Sequence, residues 1–422
     1  MVAALGAAIA VVGRVFGSQV VVQLGYALII LLIAALIVVR LGRHDLVVRR
    51  KISPERARPR EPVTASILIE NRGRGAAPLL LVEDKLPPGL SGKARFAVHG
   101  IEKGGAREAS FRVFPTRRGR YEIGPVQLSI VDPFAMARLK SGSPVKSTLL
   151  VHPAVEQLQL PRDPGDRRSM VATTSRNPTG SRGEDFYTLR EYVEGDDLRK
   201  IHWPATAKRD RYMVRQEETP WHTRATILLD DFAGSHEGGG GASSFERAVV
   251  AAASLVDLYH RVGFSYRFLG TVNAGLPPGR GAEHRTRCLD QLSLLMPTSN
   301  GASNPLADKL MELDLTGAPE AALLLVTGTI APEAAAAIAH GSRRFRQATV
   351  ICFPAHRFGV ENTKARWAGE KELNEVMRLL ARSSIRCVAL GPDEPLAAAW
   401  VSMWQAKSSG NEGPWGRKPE LV

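Results

Sequence analysis

The stretch ATILLD, residues Ala225–Asp230, decides the fold class of the C-terminal half of this 422-residue chain. It is an apolar run of strand length that ends in a carboxylate, and four similar runs follow it. They are Ser265–Leu269, Ala321–Val326, Ala348–Phe353 and Ile385–Leu390. Segments with helical periodicity separate these runs. Apolar strands that alternate with helices indicate a mostly parallel, doubly wound sheet, so we predict an α/β domain over residues 223–408.

The segment upstream of this domain carries the most distinctive sequence in the chain. Residues 183–215 read GEDFYTLREYVEGDDLRKIHWPATAKRDRYMVR, which is dense in aromatic side chains and in opposite charges. Its candidate binding residues are Arg190, Glu191, Tyr192, Gly195, Asp196, Asp197, Arg199, His202 and Trp203. A glycine followed by two carboxylates suits a surface turn or a helix N-cap, and the arginines offer bidentate partners to carboxylates. We expect Trp203 to pack beneath this turn.

A second interpretation of the same segment is chemical. Asp196, Asp197 and His202 could form an acid/base or metal site. We favour the structural or docking interpretation, because charge pairs are common in turns and no nucleophile or third ligand is evident nearby.

This segment resembles the signature of the domain of unknown function 58 family. The matching elements are Phe186 with Leu189–Tyr192, Gly195–Asp197 with Arg199, Ile201–Trp203, and Ala205–Lys208. Pro204 departs from the pattern, in which a basic residue often follows the tryptophan. Two further elements are similar to the family: the β-domain ending, Arg117–Pro125 followed by Asp132–Phe134, and an apolar N-terminus.

The resemblance implies a von Willebrand factor A-like fold for the α/β domain and a MoxR-type AAA+ ATPase as partner, with a role in the cell envelope or in complex assembly. It implies no reaction. The implied fold can hold a divalent cation through an Asp-x-Ser-x-Ser loop after its first strand. The degenerate candidates here are Asp230, Asp231 and Ser235, since Phe232, Ala233 and Gly234 occupy the serine positions of the two possible registers. Such side chains offer no oxygen to a hard cation, so we predict neither a metal nor another cofactor.

Residues 41–155 have the pattern of an all-β domain. Short runs of period-two alternation are separated by turn residues such as Pro87-Pro88-Gly89, which favours an immunoglobulin-like sandwich. We assign residues 156–222 to a linker and the signature motif, and residues 409–422 to a disordered tail.

The N-terminus predicts a membrane anchor within residues 1–40. No residue from Val15 to Val39 is charged, and 25 helical residues span about 37 Å, which exceeds a ~30 Å hydrocarbon core. The preceding run, Val2–Val12, is either the short first arm of a helical hairpin or the frayed end of a single span. Eight Lys or Arg residues lie between Arg40 and Arg60 against two acidic ones, so the main domains should face the cytoplasm, and the same basic run suits anionic lipid.

The net charge and the distribution of the basic residues indicate which kinds of partner the chain should bind. The formal net charge is +14, which favours anionic surfaces, but the basic residues form no aromatic-interleaved stripe, so we predict the lipid bilayer and no nucleic acid as partners. The three cysteines, Cys288, Cys352 and Cys387, form no CxxC pair and are best interpreted as buried, reduced thiols.

Two hypotheses about function follow. The first is a non-enzymatic, membrane-tethered adaptor that uses the charged motif to bind another protein. The alternative is a divalent-metal-dependent hydrolase built from Asp230, Asp231 and the Asp196-Asp197 turn.

Overall fold

A computed structural model describes residues 2–41, 45–73, 75–131, 138–160, 187–191, 201–217, 224–299, 305–316, 320–359 and 363–405. The chain divides into two compact units, Met1–Ala154 and Val155–Val422. The first unit contains the apolar N-terminus and the β-rich region, and the second contains the described part of the signature motif and the α/β region.

The N-terminus folds as two helices, α1 (Val2–Val15) and α2 (Gln19–Leu41), that pack side by side. A Cβ built on Gly25 would lie 2.6 Å from the backbone nitrogen of Ala10, and one built on Gly13 would lie 2.7 Å from that of Val22. Such close approach needs glycine. The α2 helix is long and apolar enough to cross a membrane, whereas the 14 residues of α1 span only about 21 Å. Of the two interpretations of the first run, the packed arm of a hairpin is therefore the one observed.

The β-rich region predicted from the alternating pattern is confirmed. Its strands are β1 (Leu46–Ser53), β2 (Arg56–Ala57), β3 (Val63–Asn71), β4 (Ala77–Asp84), β5 (Leu90–Gly92), β6 (Arg95–Ile101), β7 (Ala106–Pro115), β8 (Gly119–Ile123), β9 (Val126–Val131), β10 (Arg138–Ser143) and β11 (Ser147–Val151). Two antiparallel sheets, of order β1-β3-β7-β5 and β10-β9-β4-β6, share one apolar core. A third sheet, β2-β11-β8, contains a parallel pair that the alternation did not predict.

One arginine of the basic run after α2 lies inside this unit. The Arg50 and Asp84 side chains are both 0% exposed, and their closest atoms are 2.6 Å apart. The same guanidinium also donates to the carbonyl oxygens of Ile123 and Val145. Arg50 is therefore unavailable to lipid, which corrects the expectation that the whole basic run meets a membrane surface.

The first secondary-structure elements described in the second unit are two paired antiparallel strands and a short helix between them, and an α/β layer structure follows. Its elements are β12 (Tyr187–Glu191), α3 (Trp203–Arg209), β13 (Met213–Glu217), β14 (Arg224–Leu229), α4 (Ser244–Val262), β15 (Ser265–Gly270), β16 (Leu276–Gly279), α5 (Gly281–Leu294), α6 (Pro305–Thr316), β17 (Glu320–Thr327), α7 (Pro332–Gly341), β18 (Phe345–Cys352), α8 (Thr363–Arg382), β19 (Arg386–Ala389) and α9 (Leu396–Gln405).

The six-stranded sheet of this unit has the order β16-β15-β14-β17-β18-β19. All its neighbouring strands are parallel except the edge pair β15 and β16. Alternate side chains of β14 point to opposite faces, as Ile227 packs with α4 and α5 while Leu228 packs with α6, α7 and α8. The predicted doubly wound, mostly parallel arrangement is confirmed. The sequence analysis missed β16, which contains two prolines, and α6.

The start of the predicted linker packs against the α/β core. Leu158 is 1% exposed within that core, and the carboxylate of Glu156 lies 3.2 Å from the guanidinium of Arg247. The indole Nε1 of Trp400 donates to the carbonyl oxygen of Gln159 at 2.8 Å. The segment from Val155 to Leu160 is thus an ordered part of the second unit.

Candidate functional site

The described part of the signature motif is a small module made of β12, α3 and β13. The two strands pair antiparallel, with Arg190 opposite Val214 and Glu191 opposite Met213. The Glu191 carboxylate also lies 2.8 Å from the guanidinium of Arg211, with both side chains more than half exposed. The other predicted binding residues of the motif, Tyr192, Gly195, Asp196, Asp197 and Arg199, lie outside the described residues.

His202 caps the helix of this module. Its Nδ1 accepts a hydrogen bond from the backbone N–H of Ala205 at 3.2 Å, the role that Asn or Asp commonly plays at an N-cap. The backbone N–H of His202 donates to the carbonyl oxygen of Met213 at 2.7 Å, and this bond connects the helix to β13. The Thr206 hydroxyl reinforces the tie by accepting from the N–H of Met213 at 3.0 Å. Pro204 stands in the first turn of α3, where a missing N–H costs nothing.

Trp203 lies on the surface of the module. Its side chain is 62% exposed, so the indole is not buried as we expected. The reason is that α3 is a two-turn helix without a single buried residue. Hydrogen bonds hold this helix to β13. The motif turn that Trp203 was predicted to pack beneath lies outside the described residues. Tyr212, which precedes β13, is 59% exposed.

The second group of predicted residues lies at the carboxyl end of β14. Asp231 is fully buried, and its carboxylate accepts four hydrogen bonds. The donors are the Thr271 hydroxyl at 2.9 Å, the Val272 N–H at 2.7 Å, the Asn273 N–H at 3.1 Å and the Asn273 side-chain amide at 2.6 Å. All four are neutral and come from the segment after β15.

Asp230 is 1% exposed and bonds to the other neighbouring strand. Its Oδ2 accepts from the Thr327 hydroxyl at 2.8 Å, and its Oδ1 accepts from the Thr271 hydroxyl at 3.1 Å. The Asp230 carbonyl oxygen accepts from Nε2 of His236 at 2.7 Å. Burial lowers the pKa of His236, which keeps that ring neutral. The two aspartates therefore join β14 to β15 and β17.

These residues do not fit a divalent cation. The carbonyl oxygen of Ser235 lies against Gly328. The same oxygen accepts a hydrogen bond from the N–H of Thr329 at 2.7 Å, so the loop after β14 lies over the carboxyl end of β17. Phe232 and Gly234 supply no side-chain oxygen, as the sequence indicated. Throughout the described parts of the chain, no three His, Cys, Asp or Glu side chains form a metal-binding group.

The residues that surround these aspartates were not predicted from the sequence. Thr271, Asn273 and Thr327 follow the carboxyl ends of β15 and β17 or terminate them. The available signal was their position, because polar residues after adjacent parallel strands meet at one edge of a sheet.

The three cysteines are unpaired. Burial raises the pKa of the Cys288 and Cys387 thiols to about 12, so both stay protonated at neutral pH. Burial raises the pKa of Cys352 as well, and its Sγ lies 2.7 Å from the carbonyl oxygen of Gly328. Cys288 and Cys352 are buried, as predicted, whereas Cys387 is only partly buried.

Comparison with known proteins gives one match in sequence. Residues 188–352 match the model of a family described as "Protein of unknown function DUF58", a range that runs from β12 to the end of β18. This match supports the family resemblance drawn from the motif. No curated protein matches the chain.

Two solved structures are among those similar to part of the chain. The CARDB domain of a protein from Pyrococcus furiosus has 18% sequence identity and a TM-score of 0.20, over 26% of this chain and 88% of that one. A complex of zinc 2-glycoprotein and prolactin-inducible protein from human seminal plasma has 13% identity and a TM-score of 0.19, over 26% and 96% respectively.

Proposed function

We propose that this chain is a non-enzymatic adaptor, tethered to a membrane, that binds a MoxR-type AAA+ ATPase through the signature module and serves the cell envelope or complex assembly. The observation that carries the proposal is the indole of Trp203, which is 62% exposed on a helix that the His202 cap and the Thr206 hydroxyl help to hold in place. Exposing so large an apolar side chain gains nothing for the fold, whereas tryptophan is enriched among the residues that dominate binding energy.

The surroundings of Trp203 suit a protein partner. Tyr212 is 59% exposed, and Lys208, Arg209 and Arg211 lie in the same short segment. Aromatic and arginine side chains are the typical anchors of an interface, and basic neighbours favour an acidic patch on the partner through faster association.

The proposal extends to the architecture. A central β14, an antiparallel edge strand and helices on both faces agree with a von Willebrand factor A-like domain, and the two sheets of the first unit agree with an immunoglobulin-like sandwich. In this proposal the α2 helix serves as the membrane anchor, and the basic residues after it favour a cytoplasmic location for both units.

The alternative, a divalent-metal-dependent hydrolase, has weaker support. Asp230 and Asp231 already accept hydrogen bonds from the chain's own donors, and a cation would have to displace several of these bonds. We therefore place docking ahead of hydrolysis.

The test compares two exposed tryptophans. Tagged full-length protein is purified from membranes as wild type, as Trp203→Ala and as Trp367→Ala, since Trp367 is 73% exposed on α8 and serves as the matched control. We expect the ATPase to accompany wild type and Trp367→Ala and to be lost from Trp203→Ala. Circular dichroism melts must show all three equally folded. Retention of the ATPase by Trp203→Ala would refute docking through this residue.

A further inference from the structure

The segment Arg56-Ala57-Arg58-Pro59-Arg60 in the first unit alternates arginine with small residues. Ala57 is 2% exposed and points into the sandwich core, while all three arginines are exposed. Two backbone hydrogen bonds hold the segment in place. The Leu150 N–H donates to the Glu55 carbonyl oxygen at 3.1 Å, and the His152 N–H donates to that of Ala57 at 2.8 Å. The buried alanine and these bonds hold Arg56 and Arg58 on the outer side.

The chain then turns sharply and presents a third arginine. Glu61 makes the turn, because its carboxylate accepts from the Arg58 N–H at 2.8 Å. Arg60 has a φ of 67°, a left-handed conformation that residues other than glycine, asparagine and aspartate seldom adopt. The N–H of Arg60 donates to the carbonyl oxygen of Pro115 at 2.7 Å, which holds this conformation. Unfavourable backbone conformations that the surroundings enforce tend to cluster at functional sites.

The three arginines line one open cavity together with His152. Its volume is about 600 Å³, within the ~300–1,000 Å³ typical of small-molecule sites. Of the residues that line it, Glu61 alone is acidic, and its carboxylate is engaged with the backbone of Arg58. Within the described parts of the chain, no carboxylate pairs with the Arg58 or Arg60 guanidinium. The cavity therefore concentrates positive charge.

A nearby arginine of the same unit shows that the fold can pair an arginine with a carboxylate. Arg50, six residues earlier, is buried in a bidentate pair with Asp84, so this unit pairs the arginine that it needs for stability.

We propose that this cavity is a binding site for a small phosphate-bearing anion of at least two negative charges. Guanidinium groups match phosphate in planar, bidentate hydrogen bonds. The guanidinium groups of Arg58 and Arg60, which pair with no carboxylate among the described residues, suit a dianion. The site is separate from the signature module, and it does not depend on the proposed docking function. The phosphate belongs either to a soluble molecule or to a phospholipid headgroup.

The test uses inorganic diphosphate as the probe and calorimetry on the full chain in neutral detergent. The site variant is Arg58→Ala with Arg60→Gly, in which glycine accepts the left-handed backbone. The charge-matched control is Arg107→Ala with Arg112→Ala, two exposed arginines of β7 in the same unit. We expect the site variant to bind at least about tenfold more weakly than wild type, because each charge-assisted hydrogen bond contributes about a factor of ten. The control should bind like wild type.

A second arm identifies the source of the phosphate. Wild type is titrated with diphosphate in nanodiscs of phosphatidylcholine and in nanodiscs containing phosphatidylglycerol. Equal affinity in both supports a soluble ligand, and loss of diphosphate binding only with phosphatidylglycerol supports a lipid headgroup in the same cavity. Absence of binding to wild type in detergent, or equal weakening in both double variants, would overturn the proposal.

Discussion

The carbonyl oxygen of Ser235 lies directly against the α-carbon of Gly328, at the carboxyl edge of the six-stranded sheet. Strand order reverses at this point, between β14 and β17, and such crevices are where open α/β sheets usually bind ligands. Here the loop after β14 crosses to the end of β17, and the N–H of Thr329 fixes it through a 2.7 Å hydrogen bond to the same oxygen.

Gly328→Ala should destabilise the second unit. A methyl group there would clash with the Ser235 backbone, which cannot rotate away as a flexible side chain would, and overpacking of this kind costs about 1–3 kcal/mol. Thermal melts of the full chain check this. Gly239→Ala is the control, because a Cβ at Gly239 meets nothing within 4 Å. Equal melting temperatures for the two variants would contradict the close contact.

Trp203→Ala should leave stability within about 0.5 kcal/mol of wild type, as surface substitutions usually do. Trp400→Ala is the contrasting variant, because Trp400 is 2% exposed and its indole N–H is hydrogen-bonded to Gln159. Its truncation should cost about 3–5 kcal/mol. Denaturant melts measure both. A large loss of stability in Trp203→Ala would mean that the indole is buried and that lost binding reports unfolding.

The tryptophans also show how far the sequence could predict this structure. Apolar runs of strand length predicted the central parallel strands, because Ala225–Asp230, Ala321–Val326 and Ala348–Phe353 are almost wholly apolar, as a sheet buried on both faces requires. The same reasoning failed for Trp203, since a general preference for burying large apolar residues says nothing about whether a core lies beneath a short helix. The ring of donors around Asp231 depends on which strand ends meet in space, and that follows from strand order rather than from local sequence.

Asp257 should make stability depend on acid pH. Burial alone would raise the pKa of this carboxyl, but hydrogen bonds and charges from Arg285 and Arg261 outweigh burial and hold the pKa below its ordinary value. The stabilisation is therefore present above the unfolded-state pKa of about 3.9 and is lost as pH falls through the lower folded-state pKa.

Thermal melts of wild type and of Asp257→Asn, recorded at a series of pH values, check this expectation. The difference in melting temperature from wild type should be largest near neutral pH and should shrink below about pH 4. Asp393→Asn, at an exposed aspartate of the same unit, is the control and should show no such trend. A difference that stays constant down to low pH would show that Asp257 stabilises the fold through packing alone.

Added Mg²⁺ or Mn²⁺ should leave the melting temperature of wild type unchanged. A ligand that binds only the folded state at 100 times its Kd adds about 2.7 kcal/mol of stability, so a real site would be visible in a melt. The expectation rests on the bonds from Thr327 and Thr271 to the Asp230 carboxylate. A metal-dependent rise in melting temperature that Asp230→Asn abolishes would favour the hydrolase instead.

The final prediction concerns orientation in the membrane. A C-terminal green fluorescent protein fusion should fluoresce, and a C-terminal alkaline phosphatase fusion should be inactive, because basic residues follow α2 and such residues are retained in the cytoplasm. Replacing Arg40, Arg43, Arg49 and Lys51 by glutamine should weaken this bias. Arg50 must be spared, because its removal would strand the Asp84 carboxylate inside the sandwich and breaking a buried pair costs about 3–5 kcal/mol. Phosphatase activity in the unmodified fusion would place both units outside the cytoplasm, where an ATPase partner would be unavailable, and would therefore also remove the basis of the adaptor proposal.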